Sequence, residues 1–303
     1  MKAVVLYEYG DIDRLQLKND QREPPYAPNE VRVRVRATSI NPIDWKLRSG
    51  AARNRMPLTF PAILGRDLSG EIVDLGSDVT GFEKGMRVMA LAFGTYAEFT
   101  TVRADILAPI PDKLSFEQAA ALPLVLTTGA QLIERAVQVQ PGWTILVTGA
   151  LGGVGRTAVH VARKHGAHVI AGVKGSQREE AQKLGADRVV AIDDDKEIAT
   201  LRDLDAIADT VGGDTIARLL TALKPGGVLG SVLGEPEAAK GKDIKVAAFM
   251  AQPDAARLYE LADDVARGEF TIPIAKKFPL KDAAEAQDFA EHKHPGGKVL
   301  LVA

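Results

Sequence analysis

The most regular pattern in the chain is an apolar run that ends in a cluster of glycines and continues as a helix with one apolar face. The run covers residues 144–148, the glycines fall within 149–155, and helical periodicity follows to residue 162. Downstream, short apolar runs alternate with helical periodicity as far as residue 233. Strands that alternate with helices predict a parallel sheet covered on both faces.

The N-terminal part shows the two-residue period of strands instead. In residues 31–37 valines alternate with arginines, which predicts a strand with its valines inside and its arginines in solvent. Three arginines on one face could also bind a polyanion, but a solvated sheet face is the commoner explanation. Short apolar runs at 70–75, 86–92 and 96–102 add further strands. This part is therefore predicted to be mainly β.

Composition and charge exclude several classes of protein. Hydrophobic residues make up 46% and charged residues 26% of the 303 residues, an ordinary globular composition, and the length predicts two domains. The net charge of -2 offers no general attraction to nucleic acid or to an anionic membrane. Neither an apolar run of about 18 residues nor a signal-peptide pattern occurs, so we expect a cytoplasmic protein.

The glycine cluster indicates dinucleotide binding. Gly149 can make the tight turn, Gly152 and Gly153 let the backbone approach a pyrophosphate, and Gly155 lets the helix pack closely on the strand. Free N–H groups and the positive end of the helix dipole favour an anion at a helix N-terminus. A tight turn without a ligand would give a similar string, but the strands and helices around it favour a cofactor. The expected turn contacts are Gly149, Ala150, Gly152, Gly153, Val154 and Gly155.

The end of the second strand of this unit predicts which dinucleotide binds. NAD sites place a carboxylate there, about 20 residues past the glycines, on the ribose 2′-hydroxyl. In this chain residues 172–178 occupy the place, and no acid occurs before Glu179. Lys174, Ser176 and Arg178 suit the 2′-phosphate of NADP, although each could also be a solvated loop residue. The missing acid favours NADPH.

Cysteine and histidine usage restricts metal sites. The chain has no cysteine, which excludes disulfides, thiolate nucleophiles and Cys-ligated zinc. None of the five histidines belongs to a His-Glu-x-x-His pattern. His292 and His294 with Glu291 could hold a metal, but the lysine and Pro-Gly-Gly around them favour an exposed loop. We therefore expect no metal site.

Eight short motifs occur in an order that is specific to one family. They cover residues 41–50, 61–70, 94–98, 119–123, 150–155, 184–187, 209–213 and 296–300. Over nearly its whole length the chain thus resembles the zinc-less medium-chain dehydrogenases/reductases of the NADPH:quinone oxidoreductase (zeta-crystallin-like) type. The resemblance implies an α/β fold in which a Rossmann doubly wound parallel sheet is inserted in a GroES-like, mainly β catalytic domain. It implies a catalytic domain at 1–123, an NADP-binding domain at 124–247 and a completing segment at 248–303, with the active site in the cleft.

The resemblance also implies roles for individual residues. Asn41 and Asp44 are expected near the nicotinamide and Thr127 at its ribose or amide, as the catalytic residues. Asn41 could donate its amide N–H to a carbonyl oxygen that gains negative charge. A turn at Asn41-Pro42, and an ion pair of Asp44 with Lys46 or Arg48, are simpler explanations. The remaining cofactor contacts that the resemblance implies are Leu233 and Lys298.

The resemblance predicts reduction without a metal. Zinc-dependent members hold their metal with a cysteine at the position of Asn41 and a histidine at the position of Arg66. Without this Lewis acid, hydride transfer from NADPH to a quinone or an α,β-unsaturated carbonyl compound remains feasible. Residues 49–53 lack the tyrosine of several quinone-reducing relatives, which leaves water as the proton donor. The alternative is a non-enzymatic NADPH-binding sensor or an RNA-binding protein of the zeta-crystallin type.

The late strands of the nucleotide domain predict a homodimer. Residues 227–233 and 244–249 supply apolar strand positions, and an unprotected apolar edge pairs readily with another chain. The resemblance likewise implies a twofold dimer through these strands. Three lysines within 240–245 could instead keep the chain monomeric. The expected partners are a small-molecule substrate and a second copy of the chain, with no nucleic acid and no membrane.

Overall fold

The computed structural model describes residues 1–293 and 295–303, which fold into two compact units. The first unit consists of Met1–Leu124 and Pro253–Ala303, and the second of Val125–Gln252. The chain therefore returns to its first unit after completing the second. The resemblance predicts domain bounds at 1–123, 124–247 and 248–303. These bounds remain a prediction.

The strands and helices follow one another along the whole chain. The strands are β1 Ala3–Leu6, β2 Gln16–Lys18, β3 Glu30–Ser39, β4 Ala62–Ile63, β5 Asp67–Leu75, β6 Arg87–Leu91, β7 Phe99–Arg103, β8 Ala108–Pro109, β9 Thr144–Thr148, β10 His168–Val173, β11 Arg188–Ala191, β12 Leu204–Asp209, β13 Leu223–Ser231, β14 Ile244–Ala248, β15 Ile274–Pro279 and β16 Lys298–Val302. The α-helices are α1 Pro42–Arg48, α2 Phe116–Ala120, α3 Pro123–Gln131, α4 Gly153–Lys164, α5 Arg178–Ala181, α6 Asp195–Ile198, α7 Gly213–Leu219, α8 Ala255–Ala266 and α9 Ala283–Lys293. A π-helical segment, Leu132–Val137, continues α3.

The second unit is built on a parallel sheet. Its strand order is β11-β10-β9-β12-β13-β14, and each neighbouring pair is parallel. The order runs outward on both sides from β9 and β12, so the carboxyl ends of these two strands flank the point where ligands bind in such sheets. Leu146, Ile207 and Leu229 are fully buried in the core. The predicted doubly wound sheet is confirmed.

The main sheet of the first unit has the order β15-β16-β3-β5-β6-β8, and β7 also pairs with β3. Val31, Val33 and Val35 of β3 are buried, which confirms the predicted alternation. On the other face, Arg32 and Arg36 form ion pairs with Asp74 and Glu71 of β5, so two of its three arginines are neutralised by their own sheet. Strand β16 pairs with the end of β3 and brings the last residues beside the start of α1.

Helix α1 was not predicted, because Asn41-Pro42 reads as a turn. Pro42 is the first helical residue, where its missing N–H costs nothing, and the Asn41 N–H donates to Asp44 Oδ2 at 2.7 Å. Strand β15 was also missed, because its two consecutive lysines break the alternation.

The exposed loop expected around His292 begins later than predicted, since His292 lies in the last turn of α9, although its side chain is exposed. Glu291, also in α9, accepts from the buried Arg48 at 3.2 Å. His294 lies outside the described residues. Within those residues, every helix is too short or too polar to cross a membrane.

Candidate functional site

The glycine turn, residues 149–155, connects β9 to α4 at the carboxyl edge of the parallel sheet. Gly149 has a φ of 60°, in the left-handed region that favours glycine. A Cβ on Gly155 would lie 2.2 Å from the carbonyl oxygen of Gly149, so only glycine lets α4 pack against the turn. Gly152 is exposed and precedes α4 in extended conformation. The turn thus has the backbone geometry that dinucleotide pyrophosphates require.

The other predicted turn residues pack the turn into the second unit. Ala150 is buried, and its N–H donates to Gly172 O at 3.2 Å. A Cβ on Gly153 would lie 2.7 Å from Val125 Cγ1, and Val154 is half-buried. These contacts fix the start of α4. Whether the residues touch a cofactor stays a prediction.

A buried carboxylate holds the strand ends beside the turn. Asp209, the last residue of β12, accepts from Thr148 Oγ1 and from Ser231 Oγ, both at 3.0 Å. The Val211 and Gly212 N–H groups also donate to it, at 3.1 and 3.0 Å. Because Thr148 ends β9 and Ser231 ends β13, Asp209 fastens three neighbouring strands at their carboxyl ends. The only sign of this arrangement in the sequence is the surrounding Asp-Thr-Val-Gly-Gly motif.

The loop after β10 carries the residues predicted to bind the 2′-phosphate. Lys174 and Ser176 are exposed there. Arg178 is instead paired with Glu197 and donates to Val189 O at 3.4 Å. The structure also brings an acid to this loop, because Asp193 Oδ1 accepts from the Gly175 N–H at 2.8 Å. Of the three predicted residues, only Lys174 and Ser176 therefore have side chains without a hydrogen bond or an ion pair to another described residue.

Two further predicted contacts lie elsewhere in the second unit. The Thr127 Oγ1 in α3 is buried and has no hydrogen-bond partner among the described residues. Leu233 is 41% exposed, just past β13, and would lie 2.7 Å from a Cβ on Gly212. An unpartnered hydroxyl and an exposed apolar side chain both fit a dinucleotide, although their contact with one stays a prediction.

The first unit contains a buried polar cluster of six residues from distant parts of its chain. They are Ser39, Asn41, Asp44, Asp67, Tyr96 and Lys298. Asp67, the first residue of β5, is its central acceptor. Its Oδ2 accepts from Ser39 Oγ, from Asn41 Nδ2 at 2.7 Å and from Lys298 Nζ at 3.4 Å, while its Oδ1 accepts from the Leu124 N–H at 2.6 Å.

Asn41 is fully hydrogen-bonded within this cluster. Its Oδ1 accepts from Lys298 Nζ at 2.5 Å, and its Nδ2 donates to Asp67 and to Ser39 O at 3.3 Å. Lys298 donates in addition to Ile40 O at 3.4 Å. The oxyanion role predicted for Asn41 and the cofactor contact predicted for Lys298 stay predictions, and either role requires one of these bonds to be exchanged.

Asp44 takes up its proton close to neutral pH. Its burial raises the pKa to about 7, while hydrogen bonds from the Asn41 N–H and the Tyr96 hydroxyl lower the pKa by less. Both of those donors bind Oδ2, at 2.7 and 3.0 Å, and Oδ1 is buried without a partner among the described residues. The proton therefore belongs on Oδ1. Arg48 is not its counter-ion, since Arg48 pairs with Gln287 and Glu291.

The donor set at Asn41 and Arg66 does not fit zinc. Zinc binds cysteine sulfur, histidine nitrogen and carboxylate oxygen, whereas a guanidinium has no lone pair to give and the Asn41 oxygen already accepts from an ammonium. Arg66 Nε donates to Ala92 O at 2.8 Å, and its guanidinium carbon lies 3.7 Å from the centroid of the Phe93 ring. Burial lowers the Arg66 pKa, but an arginine stays charged at neutral pH.

Two family profiles match the chain. Residues 27–112 match the alcohol dehydrogenase GroES-like domain, and residues 184–301 match the zinc-binding dehydrogenase family. The first match covers most strands of the first unit, and the second begins after α5 and ends in β16.

Known relatives resemble the chain over nearly its whole length. The mitochondrial NAD(P)H oxidoreductase RTN4IP1 of Mus musculus is 32% identical over an alignment of 353 positions. The alignment covers 99% of this chain and 89% of the relative. Among solved structures, the quinone oxidoreductase from Coxiella burnetii has a TM-score of 0.90 at 31% identity, covering 100% of this chain and 99% of that one. The Escherichia coli quinone oxidoreductase complexed with NADPH has a TM-score of 0.86 at 28% identity, covering 100% of both.

Proposed function

Because the chain belongs to the medium-chain dehydrogenase/reductase family, as an oxidoreductase of the quinone oxidoreductase type, we propose that it reduces quinones or α,β-unsaturated carbonyl compounds with NADPH and without a metal. The observation that carries the proposal is the donor set at Asn41 and Arg66. At the two positions where a metal would need ligands, the chain has an amide that is already hydrogen-bonded and a positively charged guanidinium. Such a site suits acceptors that are already electrophilic.

The second unit supports NADPH as the cofactor. The glycine turn and the N-terminus of α4 are suited to the pyrophosphate, and Thr127 Oγ1 is a buried hydroxyl without a partner in the described chain. Lys174 and Ser176 supply charge and a hydroxyl for the 2′-phosphate. The related Escherichia coli enzyme was solved with NADPH. When bound, the cofactor supplies a hydride from C4 of its nicotinamide.

The first unit supplies a preorganised polar environment for the acceptor. Asp67 and Lys298 hold Asn41 in one orientation, and Asp44, whose pKa is raised to about 7 by burial, holds the start of α1. Each of these groups is positioned by the others before any substrate binds, which removes the reorganisation that water would need. Asn41 and Asp44 remain the proposed substrate-side residues, with Thr127 on the cofactor side.

The proposal is tested by following NADPH absorbance with quinones, 2-alkenals and enones side by side, on protein dialysed against a chelator. We expect NADPH oxidation with at least one acceptor class, unchanged by the chelator, and much weaker use of NADH. Equal dissociation constants for NADPH and NADH would contradict the cofactor assignment. Binding of NADPH without turnover of any acceptor would favour a non-enzymatic role. Activity that disappears with the chelator and returns with zinc would contradict the metal-free mechanism.

The proposal extends to a homodimer joined through β14. Among the described residues β14 pairs with β13 only, so it is an edge of the parallel sheet. Ile244 and Val246 are half-buried there, and Lys245 is exposed between them. An apolar edge of this kind pairs readily with a second copy. Light scattering at micromolar concentration tests it, and a mass near 32.4 kDa would mean a monomer.

A further inference from the structure

We propose that the Arg66 guanidinium, resting on the Phe93 ring, binds the carbonyl oxygen of the acceptor and stabilises the negative charge that this oxygen gains on reduction. The inference rests on the proposed function and assigns to one side chain the task that a metal performs in zinc-dependent relatives. In this proposal the negatively charged oxygen is bound by Arg66, which has free N–H donors, and not by Asn41, whose amide is already hydrogen-bonded.

The position of Arg66 is fixed by two contacts that leave its terminal nitrogens free. Nε donates to Ala92 O at 2.8 Å, and the guanidinium lies 3.7 Å over the Phe93 ring. Within residues 1–293 and 295–303, neither terminal nitrogen has a hydrogen-bond or ion-pair partner, and neither is among the buried atoms left unsatisfied. The two Nη groups therefore reach the surface with N–H donors available.

The surroundings make this cation unusual for a surface arginine. Arg66 is only 7% exposed, so few waters compete for its donors. Asp44 and Asp67 are near enough for their charges to raise its pKa against the effect of burial. Asp67 is already bound to Lys298, and Asp44 is only partly ionised near neutral pH, so neither neutralises Arg66 fully. A positive site with little water favours an anion.

Phe93 indicates the shape of the acceptor. It is the most exposed large apolar side chain of the described residues, at 58%, and its ring lies against Arg66. An exposed ring beside a cation can hold a flat conjugated molecule while the guanidinium takes its oxygen. This favours a quinone or an aryl enone over a short alkenal.

The step balances without a further reactant. The hydride from NADPH forms a bond to the β-carbon of the enone, the C=C pair moves to the bond beside the carbonyl, and the carbonyl pair moves onto oxygen. Arg66 donates hydrogen bonds to this enolate oxygen and keeps its protons. Water then protonates the α-carbon, the carbonyl re-forms, and the products are the saturated ketone and NADP⁺. A quinone gains the same hydride and one proton and leaves as the hydroquinone.

A test that does not depend on turnover uses 4-nitrophenol, an enolate mimic whose ionisation changes its absorbance. We expect the protein to bind the phenolate more tightly than the neutral 4-nitroanisole and to lower the apparent pKa of bound nitrophenol. Arg66→Gln should lose at least about tenfold in phenolate affinity, keep its affinity for nitroanisole and for NADPH, and lose about 10²–10³-fold in kcat. Arg66→Lys keeps the charge but not the planar fork of donors. Its phenolate affinity and its kcat should therefore lie between those of the wild type and of Arg66→Gln.

Arg34→Gln is the matched control, because Arg34 also lies over a phenylalanine of the first unit, 5.6 Å from the centroid of Phe99, but is exposed. It should leave both assays unchanged. If Arg66→Gln does not fold, Phe93→Leu replaces it, and we expect weaker phenolate binding from the unsupported guanidinium. Wild-type protein that reduces enones but does not prefer the phenolate, or an Arg66→Gln variant equal to wild type, would overturn the role of Arg66 alone. Wild-type protein without NADPH oxidation would overturn the proposed function.

Discussion

The glycine turn of the second unit and the buried polar cluster of the first unit are built in opposite ways. The turn spans seven consecutive residues and works through backbone geometry, with positive φ at Gly149 and the absence of a side chain at Gly155. The cluster works through side chains and joins residues as far apart as Asn41 and Lys298, 257 positions along the chain. A local backbone site is visible in sequence, whereas a dispersed side-chain site becomes visible only when the sheet is assembled.

The sharpest test of this contrast removes the central acceptor of the polar cluster. Asp67→Asn leaves the buried Lys298 without a counter-charge, and we expect the free energy of unfolding to fall by about 3–5 kcal/mol. Adding Lys298→Met should restore part of the loss. Asp74→Asn is the matched control, since Asp74 bonds to Arg32 and Lys84 at the surface and should change stability by about 1 kcal/mol or less. Equal losses for both single variants in urea unfolding would contradict a dispersed, buried network.

A second test uses the proton on Asp44. Its pKa is raised from 3.8 to about 7 by burial, so the folded state binds the proton more tightly than the unfolded state. The stability that this group contributes is therefore fully present below its unfolded pKa and is lost as the pH rises through about 7. The charged groups around it are Asp67, Arg66 and Lys298.

Between about pH 4 and about pH 8, this group should lower the free energy of unfolding of the wild type by up to about 4 kcal/mol. We expect Asp44→Asn to remove this pH dependence. The measurement is urea unfolding of both proteins across that range. The free energy of unfolding of the variant should increase relative to that of the wild type as the pH rises. Parallel curves for the two proteins would mean that Asp44 is ionised throughout.

In the glycine turn, two alanine substitutions separate folding from binding. Gly155→Ala forces a Cβ to 2.2 Å from Gly149 O, so we expect a loss of about 1–3 kcal/mol in stability together with weaker NADPH binding. Gly152→Ala meets the same oxygen at 3.3 Å from an extended backbone, so it should weaken NADPH binding while changing stability little. Thermal unfolding and fluorescence titration measure both effects. A destabilised Gly152→Ala variant with normal NADPH affinity would contradict the assignment.

The smallest expected effect concerns the loop after β10. Lys174→Gln should weaken NADPH binding by about 1 kcal/mol, roughly fivefold, and leave NADH binding unchanged. Arg178→Gln should change NADPH binding less, because Arg178 is paired with Glu197. Calorimetric titration with both cofactors checks this order, and a larger effect of Arg178 would mean that the pair opens for the phosphate.

The sequence was sufficient where the chemistry is local. The order of strands and helices in the second unit, the valine and arginine faces of β3, and the place of the glycine turn all follow from patterns within about ten residues. Helix α1, the pairing of Arg178 with Glu197 and the approach of Asp193 to Gly175 did not follow, because each depends on a partner from another segment. Asp67 and Arg66 stood in a quoted motif, but nothing local indicated that one would hold Lys298 and the other would lie on Phe93.

The most direct measurement is the transfer of deuterium to an enone from NADPH that carries deuterium at both C4 positions. On metal-free protein, mass spectrometry and NMR should find one deuterium at the β-carbon of the saturated ketone and solvent hydrogen at the α-carbon. That result is expected if the chain itself polarises the acceptor. A product without deuterium, or transfer that occurs only after zinc is added, would contradict reduction by NADPH without a metal.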